Sequence, residues 1–166
     1  MDTDRPTASE SHRRAALDEL LAKQAITEVL HRYCYAMDTN DAELGYQVWH
    51  DDGTAHYEGM FDGSGRDFVD FGQAGHRATF DATSHQVTNI AITIDGNRAT
   101  SASYVTAACR FRETGLVYLI RGRYLDAWSC RESTWRIDTR RFVTDLWQIV
   151  PSNQEFMPVV DASAPS

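Results

Sequence analysis

Apolar positions along the chain change their rhythm twice. Leu17, Leu20, Leu21, Ile26, Val29, Leu30, Tyr33 and Met37 recur at spacings of three and four, the mark of a helix that buries one stripe. The spacing predicts a helix over 16–38. The residues ahead of it, "MDTDRPTASESHRR", are polar and lack the apolar centre of a signal peptide, so residues 1–15 are expected to form a flexible leader. After the helix, "NDAE" has the order of a capping box. It predicts a short second helix through Val48, with Asn40 as its cap. A short strand is expected around 55–58, followed by the glycine-rich turn "GMFDGSG". "RDFVDFGQAGHRATF" then reads as a third helix through Phe68, Val69 and Phe71, weakened by Gly72 and Gly75.

From Thr83 onward the rhythm is that of strands. Runs over 84–94, 98–112, 117–130 and 134–148 are separated by "DGN", "ETG" and "CREST", connectors of hairpin type and length. Each run exceeds the usual strand of about 5–6 residues. The phase slips within the last one: Trp135 and Ile137 share a parity that Phe142, Thr144 and Leu146 do not. Long strands with such slips imply a strongly curved sheet carrying bulges. The expected fold is therefore α+β: three N-terminal helices packed on a mixed, mainly antiparallel sheet, with a conical cavity between them. Residues 16–150 form one domain in this reading, and 151–166 a C-terminal tail packed in part through Phe156 and Met157.

Composition narrows the functions. Sixteen Lys and Arg stand against 24 Asp and Glu, a net charge of −8, which argues against nucleic acid or an anionic membrane as partner. No apolar run approaches the roughly 20 residues that span a bilayer. The three cysteines, Cys34, Cys109 and Cys130, show no zinc or disulfide spacing, and reduced thiols fit a cytoplasmic protein. Neither a metal nor a cofactor is implied. Phosphate-loop, dinucleotide and nucleophile-elbow motifs are missing from the sequence.

Two residues stand out chemically. Asp38 falls where the first helical pattern stops, about 20° from His31 and 40° from Cys34 on an ideal helix. That places it beside the apolar stripe, where helical geometry alone does not bury it, and a plain helix-ending aspartate reads the same way. His85 opens the first long strand and shares a face with Val87, Asn89 and Ala91 by simple alternation; a histidine there equally suits a surface position. If both face inward, the carboxylate would fix the imidazole tautomer and leave the other nitrogen as a general base near neutral pH.

The order helix, "YCYAMDTND", "VWHDDGTAHYEG", "TSHQVTNIAITIDG", long strands and "STWRI" resembles the SnoaL-like family of the nuclear transport factor two-like superfamily. The likeness is to its scytalone dehydratase, bile-acid 7α-dehydratase and hexachlorocyclohexane dehydrochlorinase members. It implies that Asp38 and His85 form a catalytic dyad, with Tyr33 and Tyr57 as further site residues and Trp49 and Phe80 as apolar pocket walls. Tyr33 lies about 140° from Asp38 on an ideal helix, so sharing a pocket requires a loosened helix end. The resemblance also has departures. The second histidine of scytalone dehydratase aligns near Ala108, and its serine and asparagine near Gly122 and Tyr124. The arginine of other members has no clear counterpart; Arg121, Arg123, Arg140 and Arg141 are the nearby choices.

The implied function is a cofactor-independent lyase, dehydratase-like, that abstracts a carbon-bound proton from a small apolar carbonyl or halide substrate. The alternatives are a ketosteroid-isomerase-like or polyketide-cyclase-like enzyme, and a non-catalytic ligand-binding or assembly module. Association into a homo-oligomer, dimer or trimer, is expected through the outer sheet face, along which Tyr104, Trp128 and Trp147 are placed.

Overall fold

A computed structural model describes residues 7–152. Helix α1 spans Ala8–Thr39, α2 Ala42–Tyr46 and α3 Gly65–Thr79. Strands β1 (Trp49–Tyr57) and β2 (Phe61–Ser64) lie between the helices, and β3 (Phe80–Asp95), β4 (Arg98–Phe111), β5 (Val117–Arg131) and β6 (Thr134–Val150) follow. They form one open sheet in the order β2-β1-β6-β5-β4-β3. β1 runs parallel to β6, and every other pairing is antiparallel. The α+β class and the four long strands are as expected, and the stretch read as a glycine-rich turn contributes the short edge strand β2.

Three local expectations are corrected. Helix α1 starts well before residue 16, because Thr7 and Glu10 form a capping box that satisfies the first free amides. Residues 8–15 of the expected leader are thus helical, though exposed. Asn40 does not cap α2: it ends α1 in the left-handed region, φ 53°, and the Asp41 side chain accepts from the Leu44 amide instead. Simple alternation fails in β3, where Asn89 takes φ 50° and the register shifts between Thr88 and Ala91. The bulge turns Ile90, Ile92 and Ile94 toward the core cluster, while Ala91 is exposed. Phe156 and Met157, through which the tail is expected to pack, lie outside the described residues, as do residues 1–6 of the leader.

The phase slip of β6 has a physical source in two bulges. Ala127 pairs with Thr139 but Trp128 with Ile137, which leaves Asp138 unpaired. Likewise Arg121 pairs with Leu146 and Gly122 with Thr144, which leaves Asp145 out. Both aspartates turn to arginines, Asp138 to Arg131 and Asp145 to Arg123. The bulges bend the sheet around α1, whose Ile26, Val29, Leu30, Tyr33 and Met37 are buried against it.

Helix α3 forms despite its glycines because Ser64 caps it through the Asp67 amide and Phe68 and Val69 are buried. Its first residue must be glycine: a Cβ on Gly65 would lie 2.1 Å from the Trp49 ring. Along the cavity side of α3, Gly72, Ala74, Gly75 and Ala78 are all small. The residues that weaken the helix also keep space open beneath it.

Candidate active site

The site begins with an edge. β3 is the last strand of the sheet, so half of its backbone groups have no ladder partner. Asp38, in the last turn of α1, covers one of them. Its Oδ2 accepts from the His85 amide at 2.8 Å, and its Oδ1 accepts from His85 Nδ1–H at 2.6 Å. The strand edge, not the helical stripe, turns Asp38 inward. Its side chain is 23% exposed and that of His85 is 9% exposed. Burial works against ionisation of Asp38, but the hydrogen bonds from the His85 ring and amide outweigh it and hold the carboxyl below its ordinary value. The carboxylate accepts at Nδ1, so the imidazole proton sits there and Nε2 carries the lone pair.

His85 lines a cavity of about 540 Å³ between α1, α3 and the sheet. The walls are mostly apolar and include Met37, Phe68, Phe80, Val105 and Phe142. Phe80 is thus placed where the sequence reading put it. Trp49 is not: it is fully buried and packs under Gly65, away from the cavity. β4 presents Val105, Ala107 and Cys109 to the cavity, so the position aligned near Ala108 is occupied by its neighbours, and Ala107 stands opposite His85. Burial pushes the Cys109 thiol up to about 12 and Cys34 up to about 11, which keeps both as inert thiols.

Tyr33 and Tyr57 meet on the same cavity, their hydroxyl oxygens 3.0 Å apart. No loosening of α1 is needed, since the helix is regular through Thr39. Tyr33 lies in the centre of the buried stripe, while Asp38 reaches the site only through His85. Burial, with the neighbouring phenols adding to it, raises both tyrosines well above their usual value, so both stay protonated. One hydroxyl donates to the other, and the second proton remains available to a ligand.

Two further residues belong here: Arg140, one of four arginines that the sequence left open, and His76, which the sequence reading did not single out. Arg140 is completely buried and makes a two-pronged pair with Asp126, both bonds 2.8 Å. Its guanidinium lies 3.9 Å from the centre of the Tyr124 ring and 4.5 Å from that of Tyr33, a stacked arrangement that immobilises the tyrosines. The parity of Trp135 and Ile137 would have put Arg140 outside; the bulge at Asp138 brings it in. His76, on α3, also lines the cavity, with its ring centre 5.4 Å from that of His85. The signal was present: His76 follows Phe68 and Val69 by eight and seven residues, one helical face. Its Nδ1–H donates to the Met37 carbonyl at 3.3 Å, and burial, then the nearness of His85, lowers its pKa.

A larger depression of about 670 Å³ lies over Asp52, Asn97, Arg131 and Asp138. It is open and polar, and of its two arginines, Arg98 and Arg131, the second is already held by two carboxylates. Among the described residues, no group of three or more His, Cys, Asp or Glu could hold a metal ion, and no helix is long and apolar enough to cross a membrane. Trp128, expected on the outer sheet face, is 1% exposed and donates to Ser101 Oγ at 2.9 Å inside the core.

The model of the SnoaL-like domain matches residues 18–141, a span that includes most of α1, the Asp38–His85 pair and Arg140. The chain belongs to the SnoaL-like domain family. Among solved structures, this SnoaL-like chain is similar to a protein of Novosphingobium aromaticivorans provisionally assigned as a scytalone dehydratase. That match has 25% identity and a TM-score of 0.72, and covers 78% of this chain and 88% of the other. A hexachlorocyclohexane dehydrochlorinase, LinA type 2, matches at 18% identity and a TM-score of 0.77, over 87% and 99%. A nuclear transport factor 2-like superfamily protein of Salmonella enterica matches at 22% identity and a TM-score of 0.67, over 83% and 96%. The fold is that of the nuclear transport factor 2-like superfamily. No curated protein matches the chain.

Proposed function

We propose that this SnoaL-like protein is a cofactor-independent lyase of the dehydratase type, acting on a small, mainly apolar carbonyl compound or halide. The observation that carries the reading is the oriented imidazole: His85 gives its Nδ1–H to Asp38, which also holds its backbone amide, and lines an apolar cavity. Such a nitrogen is a competent general base, because the carboxylate fixes its tautomer and stabilises the imidazolium that forms. His85 Nε2 abstracts a proton from the carbon next to a carbonyl. The Tyr33–Tyr57 pair donates to the developing oxyanion, held rigid by Arg140 beneath it. The leaving group then departs from the β carbon as the double bond forms. Isomerisation or ring closure would share the first step.

The dyad lies within hydrogen-bond reach and borders open apolar space, which favours an enzyme over a binding module. The similarity to structures named as a dehydratase and a dehydrochlorinase points the same way. Trp147, expected on the outer face, pairs with Ile120 of the cavity wall and so lies on the inner face; the outer face carries Tyr104 and Leu146, 51% and 46% exposed, and we place the contact of a homo-oligomer there. The free thiols of Cys34, Cys109 and Cys130 fit a reducing, cytoplasmic setting.

The test is turnover of a panel of β-hydroxy ketones, β-hydroxyacyl esters and β-halo ketones by the wild type, His85→Ala and Asp38→Asn. The expected result is elimination by the wild type on at least one class and its loss in both variants. Equal turnover by all three proteins would remove the mechanism.

A further inference from the structure

His85 is not the only imidazole with a free nitrogen in this cavity. His76 reaches it from α3, a different element from those carrying the dyad. The two rings share an unusual feature. Each has its Nδ1–H given to a fixed protein acceptor, the Asp38 carboxylate for His85 and the Met37 carbonyl for His76. Neither Nε2 has a hydrogen-bond partner among the described residues. The rings are 5.4 Å apart and inclined by 31°. Between ring centres this is a length of the order that two hydrogen bonds of about 2.7–3.0 Å to a shared oxygen span, so there is room for a hydroxyl between the two imidazoles.

The surroundings leave few other partners for that oxygen. Phe80 flanks His76 with its ring at 6.0 Å, and Ala107 stands opposite His85 on β4. Burial, then His85 itself, disfavours protonation of His76, so its Nε2 is an acceptor. An acceptor in an apolar wall is satisfied by a hydroxyl and left unsatisfied by a halogen or a methylene.

We propose that His76 is a specificity-determining residue: its Nε2 accepts a hydrogen bond from a hydroxyl on the substrate, which selects β-hydroxy carbonyl compounds over halides and unsubstituted ketones. The inference rests on the lyase reading and narrows its substrate class. In the resulting elimination, His85 Nε2 takes the proton from the α carbon. The hydroxyl keeps its hydrogen toward His76 and turns a lone pair to the new His85 Nε2–H. That proton passes to the oxygen, the carbon–oxygen bond breaks, water leaves and the carbon–carbon double bond forms. Both histidines end as they began, and no co-reactant is consumed.

The test separates binding from turnover. In a His85→Ala background, binding of 3-hydroxy-5-phenylcyclohexanone and of 3-phenylcyclohexanone is measured by calorimetry. The hydroxylated compound is expected to bind about 10-fold more tightly, a difference of one good hydrogen bond. Adding His76→Phe is expected to erase that preference, and His76→Gln, which keeps an acceptor, to retain most of it. His76→Leu repeats the loss should the larger ring disturb the fold, with near-ultraviolet circular dichroism as the check. A preference that survives His76→Phe and His76→Leu, or that is missing from the parent, overturns the proposal. These measurements need no catalysis, so failure of the lyase reading shows separately, as equal turnover by the wild type and His85→Ala.

Discussion

The carboxylate of Asp38 holds His85 at two points, the ring nitrogen at 2.6 Å and the backbone amide at 2.8 Å. One side chain therefore closes an open sheet edge and sets a tautomer. The two tasks can be separated by substitution. Asp38→Asn keeps an oxygen for one of the two donors but loses the charge that stabilises an imidazolium. Its turnover is expected to fall by about 10²–10⁴, the usual weight of such proton transfer, with KM little changed. Steady-state kinetics on the best substrate of the panel provides the measurement.

Acid should weaken the fold in two stages. The pKa of His76 is lowered in the folded protein by burial and by His85, against the Met37 carbonyl and Asp38, which favour its charged form. A depressed value means that the unfolded chain binds the proton first. Its contribution to stability is therefore complete above about 6.5 and declines as pH falls toward the lower folded value. Asp38 is depressed likewise, and its contribution declines below the ordinary aspartate value of about 3.9. Urea denaturation as a function of pH is expected to show both slopes. His76→Phe should remove the first and Asp38→Asn the second.

The pair of Arg140 with Asp126 is buried on both sides. Removing one partner leaves a charge unpaired in the core. Asp126→Ala is expected to lower stability by about 3–5 kcal/mol, and to loosen Tyr33 and Tyr124 with it. Arg140→Met with Asp126→Leu, which removes both charges, should recover much of that loss. Denaturant midpoints of the three proteins decide the matter.

Leu146 is 46% exposed on β6 although it is apolar. With Tyr104 it marks the sheet face away from the helices, opposite to that of Ile120 and Trp147. Leu146→Glu is expected to shift the protein toward monomer without altering the secondary structure. Sedimentation velocity and far-ultraviolet circular dichroism are the measurements.

Much of this architecture can be read in the sequence because its signals are local. The stripe from Leu17 to Met37 and the turns at Asp95–Asn97 and Glu113–Gly115 each specify an element within a few residues. The start of α1 was also legible, in the Thr7–Glu10 order of a capping box. What was not legible depends on bulges and edges. Asn89 reverses the parity of β3 and Asp138 that of β6, so Ala91 and Arg140 face the opposite way from a strict alternation. Asp38 is drawn in by an unpaired amide on a strand 47 residues away, which no periodicity on its own helix records. Tyr33 and Asp38 seemed incompatible on one helix because a single direction was assumed for the site. In the fold they serve different walls, Tyr33 lining the cavity directly and Asp38 acting through His85.

The central claim is that His85 removes a proton from carbon. It is tested most directly by hydrogen–deuterium exchange at the α carbon of 3-phenylcyclohexanone in deuterium oxide, followed by proton nuclear magnetic resonance. This ketone carries no leaving group, so enolisation is seen alone. The wild type is expected to speed the loss of the α-proton signal well above buffer, and His85→Ala to return it to the buffer rate. Exchange at the same rate in both proteins, or no acceleration by the wild type, would contradict the account.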